Sequence, residues 1–145
     1  MKFKVESVNI AAVKGVQKHE VPEIVCRENF GIEGDAHAGD WHRQISLLAG
    51  EAVDAMKAKG LDLAPGAFGE NIVTRGVDWS RAQVGKTITI GAVELQITQI
   101  GKECHSRCAI YFAAGECIMP SQGIFAKVLK GGRIHAQSCG YYSIR

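Results

Sequence analysis

The sequence has no apolar run approaching the roughly 20 residues needed to cross a bilayer, no block of like charge and only three prolines in 145 residues. The first absence excludes a spanning helix. The second excludes the basic patch that nucleic acid or an acidic membrane surface demands, because a net charge of +2 is spread along the chain. Neither nucleic acid nor membrane is an expected partner. Repeats, low-complexity tracts and linkers are also missing, so residues 1–145 read as a single domain whose core needs no disulfide staples. The five cysteines are an odd number, and Met1-Lys2-Phe3-Lys4-Val5-Glu6 reads as a strand in place of an apolar leader. Reduced thiols in a cytoplasmic setting are expected.

What the chain does have is a concentration of reactive side chains. Gly101-Lys102-Glu103-Cys104-His105-Ser106-Arg107-Cys108 runs on to Gly115-Glu116-Cys117, gathering three of the five cysteines with a histidine and an arginine. It follows a strand-like apolar run, so these groups sit where a strand opens into a loop. Three readings compete. Zinc would take Cys104, His105 and Cys108, since thiolate and imidazole suit tetrahedral geometry, although the cysteine spacing is one residue too wide and no second pair lies elsewhere. A nucleophilic or sulfur-carrying cysteine would be held toward thiolate by Arg107, Lys102 and His105. The third reading is core packing, since cysteine behaves as a small apolar residue. The interleaved basic residues favour thiol chemistry for the cluster, whereas Cys26 reads as core.

Residues 3–10 alternate apolar and polar with period two, the mark of a strand with one buried face. Val21-Pro22-Glu23-Ile24-Val25-Cys26 is a second strand, which its proline confines to a start or an edge. Ile45-Ser46-Leu47-Leu48 reads as a buried strand. Residues 51–59 are rich in helix formers, with acids early, lysines late and Gly60 placed to stop them. Two alternating runs around Gly91-Ala92 predict a tight hairpin. Residues 124–134 form another strand and turn, where Phe125 and Val128 break strict alternation and admit a short helix. About seven short strands with one or two short helices predict a mainly β protein, closed as a barrel because closure removes exposed edges.

Two glycine-rich loops carry polar residues. Gly31-Ile32-Glu33-Gly34-Asp35-Ala36-His37-Ala38-Gly39-Asp40 cannot sustain a regular element, and it places Asp35 and His37 on a loop, where sites concentrate. His37, His42 and Arg43 either fix this loop by hydrogen bonding or meet an anion, for which Arg43 offers a planar fork. In Pro65-Gly66-Ala67-Phe68-Gly69-Glu70-Asn71, the pair Glu70-Asn71 either caps a turn or joins the site of His37.

These segments, taken with Arg43-Gln44, Val84-Gly85, Ile90-Gly91 and Arg107-Cys108, resemble the MOSC domains, named for the C-terminal domain of molybdenum-cofactor sulfurases. The resemblance covers most of the chain. Cys104-His105 and Gly115-Glu116-Cys117-Ile118-Met119-Pro120 are similar to the small stand-alone bacterial members. It implies a MOSC-like β-barrel and a cysteine, matched by Cys108, that carries sulfur or ligates molybdenum in a pyranopterin cofactor. Thiolate is a soft ligand suited to such a metal. One departure is C-terminal: the family's Gly-Asp turn is replaced by Gln137-Ser138-Cys139-Gly140 after Ile134-His135-Ala136, so the family pattern implies nothing for the last strand. The aminotransferase-like domain of true sulfurases is also missing, and no pyridoxal phosphate site is expected.

The reading that results is a module that binds molybdenum cofactor or carries sulfur. Cys108 is its functional thiol and metal ligand, and Cys104 is the resolving or second thiol. Arg107, Arg43 and His37 contact anionic groups, while Asp35, Glu70 and Asn71 shape the pocket. Molybdenum cofactor or a sulfur-donor protein of the cysteine desulfurase type is the expected partner. Two alternatives come from other classes: a cofactor-free, thiol-dependent reductase of small molecules such as hydroxylated amines, and a structural zinc-bound interaction module.

Overall fold

The computed structural model describes residues 1–101 and 122–143. Among them the chain forms β1 (Lys2–Ile10), β2 (His19–Val21), β3 (Glu23–Arg27), β4 (Gly31–Ile32), β5 (Ile45–Ala49), α1 (Gly50–Lys57), β6 (Ile72–Arg75), β7 (Thr87–Ile90), β8 (Val93–Ile100), β9 (Ile124–Lys130), β10 (Gly132–His135) and β11 (Cys139–Tyr142). Seven strands follow one another in the order β11-β7-β8-β9-β5-β6-β1, and pairing of β11 with β1 closes them into a barrel. All these pairings are antiparallel except β5 with β6, whose parallel crossover is made through α1. Strand β2 extends the sheet from the far end of β1, and β10, β3 and β4 form a separate small sheet. Its Ile24, Cys26, Ile32 and Ile134 join the apolar cluster that fills the barrel.

The fold class is as the sequence implies; several details differ. Pro22 divides the second predicted strand into β2 and β3. The long 124–134 segment is two strands without a helix, because β9 is apolar on both faces: Ile124, Ala126 and Val128 fill the barrel, while Phe125 packs outside it. The divergent C-terminus supplies β11, the strand that closes the barrel.

Strand β1 is not an uninterrupted alternation. Its register against β6 jumps between Val5↔Thr74 and Ser7↔Val73, so Glu6 is the extra residue of a bulge. Phe3 and Val5 before it and Val8 after it all reach the barrel core. Ser7 and Asn9 are thereby turned away from that core, yet both stay buried.

A second layer covers the outside of β5 and β9. Val53 and Met56, one helical turn apart on α1, pack with Leu48, Leu63, Phe68 and Phe125. Each such large side chain contributes about 1.5–3 kcal/mol on burial. Helix α1 ends as expected at Gly60, whose positive φ of +89° lets its N–H reach the Lys57 carbonyl at 2.9 Å. Among the described residues no helix is long and apolar enough to cross a membrane.

Candidate functional site

Polar groups collect beside this second layer, where the loop after β1 and the loops before β5 and β6 converge. At the centre is Lys18, which lies in the loop before β2. Its ammonium is buried and sits 2.7 Å from Asp35 Oδ1 and 3.0 Å from His37 Nδ1. Isolated, a buried carboxylate or ammonium would be strongly unfavourable; paired and hydrogen-bonded, each is tolerated. The Asp35 carboxylate also accepts from the backbone N–H of Ala11 at 3.2 Å and of His37 at 3.1 Å. The bonds from Asp35 to Lys18 and to the two backbone N–H groups therefore tie three segments of chain together.

Trp41 continues the chain of contacts. Its indole N–H donates to the His37 carbonyl at 2.7 Å, and its ring is nearly parallel to the imidazole, with centroids 6.4 Å apart. The Arg43 guanidinium lies 4.8 Å from the Trp41 ring centroid and 5.7 Å from that of Phe125. It makes no ion pair with any carboxylate among the described residues, and its buried Nε has no hydrogen-bond partner. Lys14 approaches the same Trp41 ring at 5.6 Å.

Glu70 and Asn71 frame the site through the backbone. Glu70 accepts from the N–H groups of Gly66 and Phe68, both at 3.0 Å. Burial pushes its carboxyl above the usual range, opposed by those N–H groups and by the charge of Lys18. Asn71 accepts from the Ser46 N–H at 3.0 Å and donates to the Asn9 carbonyl at 3.1 Å. Asn9, turned outward by the bulge in β1, donates toward Ser7 and the carbonyls of Glu70 and Asn71.

Asp35, His37 and Arg43 are thus linked through Lys18 and Trp41, with Glu70 and Asn71 on the adjoining loop. Cys104, Arg107 and Cys108 lie outside the described residues. The root of their segment is described: Gly101 N–H donates to the Gly123 carbonyl at 2.7 Å. Gln99 reaches the Gly101 carbonyl at 2.7 Å with its amide and His42 Nε2 at 2.9 Å with its oxygen. The cysteine segment therefore starts one hydrogen-bonded step from the loop that holds Arg43. Sequence reasoning missed Lys18, which sits among polar residues that look solvated; a buried Asp35 demanding a cation was the available clue. Phe125 was read as part of a strand or short helix and not as a site residue.

A family model for the MOSC domain matches residues 33–138, a span that begins in the Asp35 loop and runs almost to β11. The chain belongs to the MOSC domain family. No curated protein sequence matches it. Solved structures similar to this MOSC domain include the YUAD protein from Bacillus subtilis, 18% identical with a TM-score of 0.80, covering 97% of this chain and 94% of that one. YiiM from Geobacillus stearothermophilus is 19% identical with a TM-score of 0.71, covering 97% and 75%. YiiM from Escherichia coli is 21% identical with a TM-score of 0.66, covering 100% and 71%. At these identities the likeness establishes the MOSC fold and not an activity. Among the described residues of this MOSC domain, no group of three or more His, Cys, Asp or Glu is arranged to hold a metal ion.

Proposed function

We propose that this MOSC domain holds an anionic ligand at Arg43 and presents it to the thiol of Cys108, serving as a molybdenum-cofactor-binding or sulfur-carrier module. The observation that carries this reading is the state of Arg43. A guanidinium that stacks on Trp41 and Phe125, finds no carboxylate among the described residues and keeps a buried Nε without a partner is a donor set in want of an acceptor. Leaving such a group unmade costs about 1–3 kcal/mol, a cost that a phosphate or similar oxyanion removes through a bidentate contact.

A pyranopterin cofactor fits this donor set at its phosphate. Arg43 and Arg107 would hold that phosphate, and Cys108 would be the thiolate that ligates molybdenum. When bound, the cofactor supplies a metal centre open to a soft ligand. As a sulfur carrier, the Cys108 thiolate attacks the outer sulfur of a persulfide on a donor of the cysteine desulfurase type. The donor's S–S bond breaks, its cysteine leaves as thiolate, and the new S–S bond leaves a persulfide on Cys108. Cys104 is the second thiol that discharges it.

The test compares wild type with Cys108→Ser. Each is exposed to molybdenum cofactor and, separately, to a persulfide donor, then weighed intact. Wild type is expected to gain the cofactor or one sulfur atom, and Cys108→Ser to gain neither. Equal gains in both proteins would refute the reading, as would turnover of hydroxylated amines by wild type stripped of metal and pterin.

A further inference from the structure

His37 is constrained by a neighbour whose chemistry leaves one choice. The Lys18 side chain is 1% exposed and the Asp35 side chain 0%, so neither can turn to solvent without opening the loops around them. Lys18 is also fixed from behind, its backbone N–H donating to the Gly66 carbonyl at 3.0 Å. Its ammonium lies 2.7 Å from Asp35 Oδ1 and 3.0 Å from His37 Nδ1. An ammonium has three protons and no lone pair. At 3.0 Å it can only donate, and His37 Nδ1 must accept. An imidazole whose Nδ1 offers a lone pair carries its proton on Nε2.

Among the described residues, the other charges around the ring point the same way. Asp35 is the acid at this position, but its nearer oxygen is 3.8 Å from His37 Nδ1, and Lys18 is interposed at shorter range. Asp35 already accepts from Lys18 and from the N–H groups of Ala11 and His37. On the far side of the imidazole stands Trp41, which itself carries Arg43 and Lys14 against its ring. A second proton on Nδ1 would face the Lys18 ammonium directly.

We infer that Lys18 is a positioning residue that holds His37 neutral, in the Nε2–H tautomer, so that any hydrogen bond His37 makes through Nε2 is one in which it donates. A base acting through Nδ1, or a metal ligand through Nδ1, is thereby excluded. The inference deepens the proposed function and rests on it for the ligand, an oxyanion that would accept from Arg43; at His37 it fixes which nitrogen carries the proton. The tautomer itself rests on geometry alone.

The experiment is long-range proton–nitrogen correlation on protein labelled with nitrogen-15 histidine, with His37→Gln identifying the resonance. Wild type at neutral pH is expected to show a bare Nδ1 and a protonated Nε2. In Lys18→Met, Asp35, with an oxygen 3.8 Å from Nδ1, becomes the nearest charge among the described residues, and the proton is expected there or on both nitrogens. Lys18→Met combined with Asp35→Asn removes both charges of the pair together and serves if the single variant does not fold; it is expected to show a mixture of tautomers. A wild-type imidazole protonated at Nδ1, or an Nε2–H tautomer unchanged in both Lys18→Met and the double variant, would overturn the assignment. Sulfur or cofactor loading is read separately by mass, so its failure beside an intact tautomer pattern would sink the proposed function and leave the role of Lys18 standing.

Discussion

Gly66 lies against the backbone of Lys18, so closely that a Cβ on Gly66 would fall 2.3 Å from the Lys18 carbonyl oxygen. The pair is also bonded, Lys18 N–H to Gly66 carbonyl, at 3.0 Å. This contact sets the depth at which the Lys18 ammonium enters the site. Because Gly66 also has φ +89°, no other residue suits it.

Gly66→Ala is therefore expected to destabilise the fold by about 2 kcal/mol or more, from backbone strain and the displaced Lys18 carbonyl. Thermal unfolding should show it as a loss of roughly 4–8 °C. Gly85→Ala is the control: Gly85 also has positive φ, +94°, but nothing lies within 4 Å of its Cβ direction, so it should lose only the conformational part.

Arg43→Met keeps a flexible side chain between Trp41 and Phe125 but removes every donor. Since the guanidinium satisfies no carboxylate among the described residues, the unfolding free energy should change by less than about 1 kcal/mol. Binding of molybdenum cofactor should weaken about tenfold or more, the equivalent of one lost charge-assisted contact. Loss of stability with unchanged cofactor binding would instead make Arg43 a packing residue.

Cys26 and Cys139 should differ sharply toward thiol reagents. Cys26 is 2% exposed, and burial pushes its thiol from 9.0 up to about 12; Cys139 is exposed. At pH 8, peptide mapping after alkylation of the native protein should find Cys139 modified and Cys26 intact. The sign of the stability effect follows. Above pH 9 the unfolded chain loses the Cys26 proton while the folded chain keeps it, so stability falls as pH rises from 9.0 toward about 12, with a slope of at most about 1.4 kcal/mol per pH unit. Cys26→Ala should flatten that part of the profile relative to wild type.

At the seam of the barrel, Gly140 of β11 faces Phe3 of β1, and a Cβ there would meet the ring at 2.2 Å. Phe3 is itself held edge-on against Trp79 at 5.7 Å. Gly140→Ala should cost about 1–3 kcal/mol through overpacking, and Phe3→Leu in the same chain should recover part of it. Double-variant unfolding in urea measures the coupling.

How far the sequence revealed all this depended on whether a feature was local. The hairpin of β7 and β8 was legible because alternation and Gly91 specify it within a few residues. The bulge at Glu6 was written in the sequence as two adjacent polar residues, Glu6 and Ser7, yet a period-two reading passes over it. Strand β9 misled because Phe125 faces the second layer while its neighbours face the barrel, and two buried faces erase alternation. In the site, Asp35, His37 and Arg43 stood out as polar residues on glycine-bounded loops. Lys18 did not, since its burial is created by Gly66 and Asp35, residues remote in sequence.

The hydrogen bond between Gly101 and Gly123 has an evolutionary corollary. The β8–β9 ladder, despite two register shifts, ends on the pair Ile100↔Ile124, so Gly101 and Gly123 emerge side by side. Doubling the length of a flexible loop spanning such closed ends costs only about 0.6 kcal/mol. The scaffold can therefore accept segments of different length between Gly101 and Gly123 at little cost to the barrel.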